Sequence, residues 1–143
     1  MIDELLLRLH AVATLAMTGV IWTMQRVHYP LFDLADRGSF PLFEKRHAAA
    51  TGGIVIPLML VEAATAGFLL WRPQELFSRP SALIGALLLL GIWISTFAIQ
   101  VPCHRILARG FDEGAHRRLV RTNWIRTFLW TARTILVATA GLF

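Results

Sequence analysis

Four long apolar runs separated by proline- and glycine-marked breaks leave this chain few folds to choose from. The runs extend from about Leu5 to Val27, His47 to Trp71, Ser81 to Val101 and Leu119 to Gly141. A helix rising about 1.5 Å per residue crosses a hydrocarbon core of roughly 30 Å in about 20 residues, and each run is that long. The break from Tyr29-Pro30 to Pro41 holds a proline at each end, and that from Arg72-Pro73 to Arg79-Pro80 carries two more. The third break centres on Gly110 and Gly114. The pattern predicts an all-α, integral membrane, antiparallel four-helix bundle running up-down-up-down. It is read as a single transmembrane domain over residues 1–143, with spans at about 5–28, 45–71, 81–104 and 116–141.

Composition agrees with the bilayer as solvent. The chain is 56% hydrophobic and 16% charged, against about 45–50% and about 25% in an average soluble domain. This balance excludes an ordinary soluble domain and a disordered tail. Cys103 is the single cysteine, which rules out an intramolecular disulfide and any cysteine-based metal motif.

The formal charge of +5 is organised by position. Arg26, Arg37, Lys45, Arg46, Arg105, Arg109, Arg117, Arg118 and Arg121 lie on one predicted side, and only Arg8, Arg72 and Arg79 on the other. This asymmetry encodes topology rather than nucleic-acid binding. It predicts a multi-pass protein of the inner (plasma) membrane, with the first and third breaks cytoplasmic and both termini outside. The opening Met1-Ile2-Asp3-Glu4 is acidic where a cleavable signal peptide is basic, so the first span is expected to be retained.

The two remaining arginines fall inside the fourth run. Glu62 lies 15 residues beyond His47, about 22 Å further across the membrane. At that depth Arg133 and Arg126 are both within reach, and an ion pair between Glu62 and one of them is expected to face inward. Glu62, Arg126, Arg133 and Asn123 are thus the candidate catalytic groups. Such a pair can relay protons or receive an anionic or quinone-like headgroup, or it can simply fix helix register. At 100° per residue the polar residues of three runs line one stripe each. These are His10, Thr14, Gln25 and His28; Trp93, Thr96, Gln100 and His104; and His116, Asn123, Arg126, Thr127 and Trp130. The small-residue runs Ala48–Gly53 and Ala63–Gly67 read as close helix packing.

Histidine supplies the second pattern. His28 ends the first span, His47 opens the second, His104 follows the third and His116 precedes the fourth, which sets all four at the cytoplasmic end. Only His10 lies at the other. Glu44-Lys45-Arg46-His47 and Glu113-Gly114-Ala115-His116 each place a carboxylate and an imidazole one helical turn apart, as ferritin-like di-iron bundles do on two of their helices. The candidate metal ligands are therefore His28, His47, His104, His116, Glu44 and Glu113, for non-heme iron or another transition metal. A heme b held by His28 with His104, or by His47 with His116, is the competing cofactor, with Arg26, Arg46 and Arg105 placed to meet propionates.

Leu7-Arg8-Leu9-His10, the tryptophan Trp22, Tyr29-Pro30-Leu31-Phe32, Leu107-Ala108-Arg109-Gly110 and the last-span Asn123 form a weak resemblance in layout. In them the chain resembles the small bacterial protoporphyrinogen IX oxidase of the four-helix membrane type. That resemblance implies a heme-linked redox bundle with His10 as heme ligand, and His28, His104 and Gln100 complete the candidate cofactor-binding set. The lysine which that family carries in its third span has no counterpart, because Lys45 is the only lysine here.

The leading expectation is a heme- or metal-binding membrane oxidoreductase with its histidines at the cytoplasmic end. The alternatives are a small oligomeric proton-coupled transporter working through Glu62 and Arg133, and a non-catalytic assembly subunit of a membrane complex. The partners expected are the lipid bilayer, a hydrophobic or quinone-like small molecule and further copies of the chain, with no nucleic acid.

Overall fold

The computed structural model describes residues 2–72, 74, 75 and 77–140. Pro73 and Leu76 of the second predicted break, and Gly141 at the end of the fourth predicted span, lie outside the described residues. Four helical rods make up the described residues. The first is α1 (Ile2–Thr23), continued by a π turn (Met24–His28) and a 3-10 turn (Tyr29–Leu34), and the second is α2 (Phe40–Trp71). The third is α3 (Arg79–Ser95), a π turn (Thr96–Gln100) and α4 (Val101–Leu107), and the fourth is α5 (Glu113–Thr139). No strand occurs among the described residues.

The rods outrun the predicted spans. Helix continues past His28 to Leu34, so the break expected from Tyr29 to Pro41 shrinks to residues 35–39. There the carboxylate of Asp36 accepts the backbone N–H of Ser39 at 2.8 Å and its hydroxyl at 3.0 Å. Those two bonds hold the Asp36 carboxyl below its ordinary range. Pro41 and Pro80 sit in the first turns of α2 and α3, where no helical N–H is missed. Asp112 caps α5 by accepting the Ala115 N–H at 2.6 Å.

Pro30 and Pro102 explain the π turns. A proline inside a helix removes one hydrogen bond and presses its ring on the carbonyl four residues earlier. Those carbonyls belong to Arg26 and Ala98, and each lies within a π turn. The wider turn takes up the clash and keeps the rod continuous.

The first rod packs on α2 and α5, and α3 packs on the same two helices. The core has three apolar layers. Leu7, Leu69, Phe77 and Val137 fill one end, Met17, Met59, Ile92 and Trp130 the middle, and Phe32, Phe40, Leu107 and Leu119 the other end. Polar side chains are interleaved with these layers inside, while large apolar groups face out: Phe97 is 61% exposed and Phe128 62%. Soluble domains turn the opposite way.

Three helical stretches, Ile2–Leu34, Phe40–Trp71 and Arg79–Leu107, are long and apolar enough to cross a membrane. α5, which covers the fourth expected span, is long enough to cross but less apolar than the other three rods. It carries the polar interior of the bundle, and Asn123, Arg126, Thr127 and Arg133 are all buried on its inner face.

The run Ala48–Gly53 faces outward at Ala48, Ala49, Ala50 and Gly53, whereas the run Ala63–Gly67 turns Thr65 and Ala66 into the core. Gly53 and Gly67 have nothing within 4 Å of where a Cβ would stand. Close packing occurs between α3 and α5, where a Cβ on Gly91 would meet Leu129 Cδ1 at 3.2 Å and one on Gly85 would meet Leu136 Cδ2 at 3.4 Å. Gly91→Val should therefore cost about 1–3 kcal/mol by overpacking, and Gly53→Val less than about 0.5 kcal/mol. Thermal unfolding of the two variants in detergent checks the contrast; equal losses would remove the α3–α5 contact as the reason.

Candidate metal centre and the buried ion pair

Two polar assemblies occupy the interior. In the first, Arg133 donates to Glu62 Oε1 from Nε at 3.3 Å and from Nη2 at 3.1 Å, and from Nη1 to the carbonyl of Gly85. Thr14 donates its hydroxyl to Glu62 Oε1 at 2.9 Å, and the Trp130 indole N–H donates to Oε2 at 2.9 Å. Every rod contributes a group. Of the two predicted partners Glu62 thus takes Arg133, and both members are fully buried.

Arg126 is turned elsewhere. It donates to Asn123 Oδ1 from Nε at 3.0 Å and from Nη2 at 2.5 Å, and Asn123 in turn donates to Gln25 Oε1 at 2.9 Å. Longer contacts of 3.4 Å reach Thr96 and the Tyr29 hydroxyl. Reach alone left both arginines open to Glu62. The direction in which each leaves α5 separates them.

The second assembly gathers three of the four histidines expected at one end of the bundle. His28 Nε2 stands 2.8 Å from His47 Nδ1, which also contacts the Thr51 hydroxyl at 3.2 Å. The rings of His47 and His104 lie 5.6 Å apart, and His104 Nδ1 is 2.5 Å from Glu44 Oε1. One ligand atom each from Glu44, His47 and His104 can be chosen so that all three lie within 4.8 Å of one another. Glu44 is 0% exposed, and its Oε2 has no hydrogen-bond partner. A buried carboxylate oxygen without a donor is costly, and a cation supplies what is missing.

The other predicted ligands go elsewhere. His116 bonds through Nε2 to the Tyr29 carbonyl at 2.8 Å. Glu113, one turn before it, is exposed and pairs with Arg117 at 3.3 Å across the surface. The second Glu-x-x-His pattern is therefore a helix start and a buried tie. Gln100 accepts from Ser95 at 3.0 Å and donates to Thr122 at 3.2 Å, outside the histidine group. His10 sits at the far end with Nδ1 2.8 Å from the Thr65 hydroxyl and its ring against Phe77 at 5.8 Å. The gap beside it, lined by Ala66, Leu69, Phe77, Ala82 and Gly85, has no room for a water molecule.

Neither predicted heme pair faces across an open plane. His47 packs on both His28 and His104, at 4.6 and 5.6 Å. Phe32 packs on both His47 and His116, at 5.0 and 6.2 Å. The pairs His28 with His104 and His47 with His116 are thus crowded by a third ring.

Tyr29 is the residue that sequence reading passed over. Its hydroxyl is 3.3 Å from His104 Nε2 and is reached by Arg126, while its carbonyl holds His116. It is the chain's single tyrosine and directly follows a π turn. A predicted break at this point gave no reason to place it inside. The extra residue of a π turn also shifts the phase of everything after it, so a 100° wheel drawn through Met24 misplaces Tyr29.

Beside the triad lies a cavity of about 430 Å³ bounded by all four rods. Met17, Val20, Ile21, Val55 and Trp130 line its body, and Glu44, His47, His104, Tyr29 and Arg126 its polar part. Comparison with family models, with curated proteins and with solved structures finds no match for this chain.

Proposed function

We propose that this chain is an integral membrane oxidoreductase built on one divalent transition-metal ion held by Glu44, His47 and His104. The observation that carries the reading is the triad itself, two imidazoles and a buried carboxylate with an unpartnered oxygen, drawn from α2 and α4 to within one coordination sphere. Two histidines and one carboxylate with open positions suit non-heme iron(II), and the same donors suit zinc. Most of the wall beside the triad is apolar, and of these metals iron is the one we assign.

The surrounding residues fit that role. With His104 Nδ1 toward the ion, its Nε2 proton points at the Tyr29 hydroxyl. With His47 Nδ1 toward His28 and Thr51, its Nε2 is the nitrogen left for the metal. Partners of this kind fix the tautomer and raise ligand basicity. The ion when bound supplies the electron transfer or substrate activation that protein side chains lack. In this reading the four rods run up-down-up-down through the membrane, with the polar face of α5 turned inward, the triad at the cytoplasmic end and both termini outside. The apolar outer surface and the nine-to-three arginine and lysine asymmetry support it.

Metal analysis of protein purified in detergent tests the proposal. The expected result is about one iron per chain, falling below about a tenth in Glu44→Gln. One zinc per chain would keep the site and change the chemistry. No bound metal after incubation with iron(II), zinc or manganese would remove the proposal.

A further inference from the structure

Arg126 and Arg133 pose a contrast that the metal centre does not absorb. Arg133 meets a carboxylate, whereas Arg126, 6% exposed, has no carboxylate within ion-pair distance among the described residues. Its partners Asn123, Thr96 and Tyr29 are neutral. A buried guanidinium with neutral partners keeps an uncompensated charge. Two of its contacts, to Thr96 and Tyr29, stand at 3.4 Å, near the limit of a hydrogen bond, so Nη1 and Nη2 retain capacity to donate.

The charge faces the cavity. Lys45 and Arg105 also line it, both exposed, one from α2 and the other from α4. Three cations stand against the single carboxylate of Glu44, and a divalent ion on the triad adds to the imbalance. The rest of the wall is apolar, from Met17 and Val20 on α1 to Val55 on α2 and Trp130 on α5. From His47 to Val55 is eight residues of α2, an apolar stretch of about 12 Å. A volume near 430 Å³ suits one small molecule.

We infer that the cavity takes a single-chain amphiphile with a carboxylate headgroup, a medium-chain fatty acid, seated with its carboxylate on Arg126 beside the triad and its chain against Val55 and Trp130. The planar guanidinium fork matches a carboxylate. Lys45 and Arg105 draw the anion toward the cavity. This deepens the metal-site reading and rests on it for what happens to the bound molecule, though not for the binding itself.

The test uses the full chain in nanodiscs of zwitterionic lipid, with metal content measured on the same samples. Binding of decanoate, decanol and decyltrimethylammonium is compared. Decanoate should bind at least tenfold more tightly than decanol, and the cation not at all. Arg126→Gln should erase the preference of decanoate over decanol. Because Arg126 is buried and its loss can unfold the chain, Val55→Trp is the second variant; by filling the apolar body it should abolish binding of both while metal content stays at the wild-type value. Equal binding of decanoate and decanol by the wild type, or undiminished decanoate binding by Val55→Trp, overturns the inference. Nanodiscs containing phosphatidylglycerol separate the source of the anion, because loss of decanoate binding there assigns the site to a lipid phosphate and overturns the fatty-acid assignment. Metal bound without carboxylate preference sinks the inference alone, whereas carboxylate preference in protein that never takes up metal sinks the metal reading alone.

Discussion

Arg133→Met in a chain that keeps Glu62 should lower stability by about 3–5 kcal/mol, the usual cost of stranding one member of a buried pair. The Glu62 carboxylate would keep the Thr14 hydroxyl and the Trp130 indole N–H but lose its counter-charge, and Gly85 would lose the donor on its carbonyl. The double variant Glu62→Leu, Arg133→Met removes both charges, and should recover to within about 2 kcal/mol of the wild type because nothing charged is left buried. Denaturant titration in detergent reads both changes. A loss under about 1 kcal/mol in the single variant would mean that the pair does not hold the rods together. Complete burial, with hydrogen bonds that reach Thr14, Gly85 and Trp130, ties this pair to every rod. A transport role would need water or substrate to reach Glu62, and the described interior closes it off with Thr14, Trp130 and Arg133.

His104→Ala and His116→Ala should fail in opposite ways. His104 is half of the imidazole supply of the triad, so its loss should reduce bound metal to less than about a tenth of the wild-type content, as removal of a direct ligand does more than the 10–100-fold loss typical of a supporting partner. His116 makes no contact with the triad donors and bonds to the Tyr29 carbonyl. Its removal should leave metal content unchanged and cost about 1 kcal/mol by taking one hydrogen bond from the Tyr29 carbonyl. Metal analysis and thermal unfolding on the same two preparations separate the roles. If His116→Ala loses the metal as His104→Ala does, the ion is shared among four histidines and the triad assignment is wrong.

The site was partly legible in the residues. Glu44 and His47 share a helical face at a spacing of three, and His104 falls at the same end by counting span lengths, so two of the three triad members and the level of the third follow from periodicity. The second Glu-x-x-His pattern obeys the same rule and yields nothing, because Glu113 starts its helix on the solvent side and finds Arg117. Spacing along one helix says which residues share a face. It does not say which way that face turns, since a helix gains rotation from packing against its neighbours. Tyr29 went unnoticed for a related reason: Pro30 reads as a break, yet a π turn absorbs the proline and carries the rod on to Leu34. The run Ala48–Gly53 misled in the same manner, facing largely outward while Gly85 and Gly91 made the close approach to α5.

What the amino-acid order determined by itself was the apolar helical character of the chain, the number of rods, the end at which the histidines gather and the presence of a deep acid with two arginines within reach. These follow from run length, rise per residue and charge asymmetry, all of which are local quantities. Only the tertiary structure decided that Arg133 takes Glu62 while Arg126 keeps a charge toward the cavity. It alone decided that three groups out of six converge, and that Asn123, Arg126, Thr127 and Arg133 of the fourth rod turn inward. Those outcomes depend on the rotation of each rod about its own axis, set by the packing of residues far apart in the chain, such as the Thr18 hydroxyl on that of Thr134, 116 positions away.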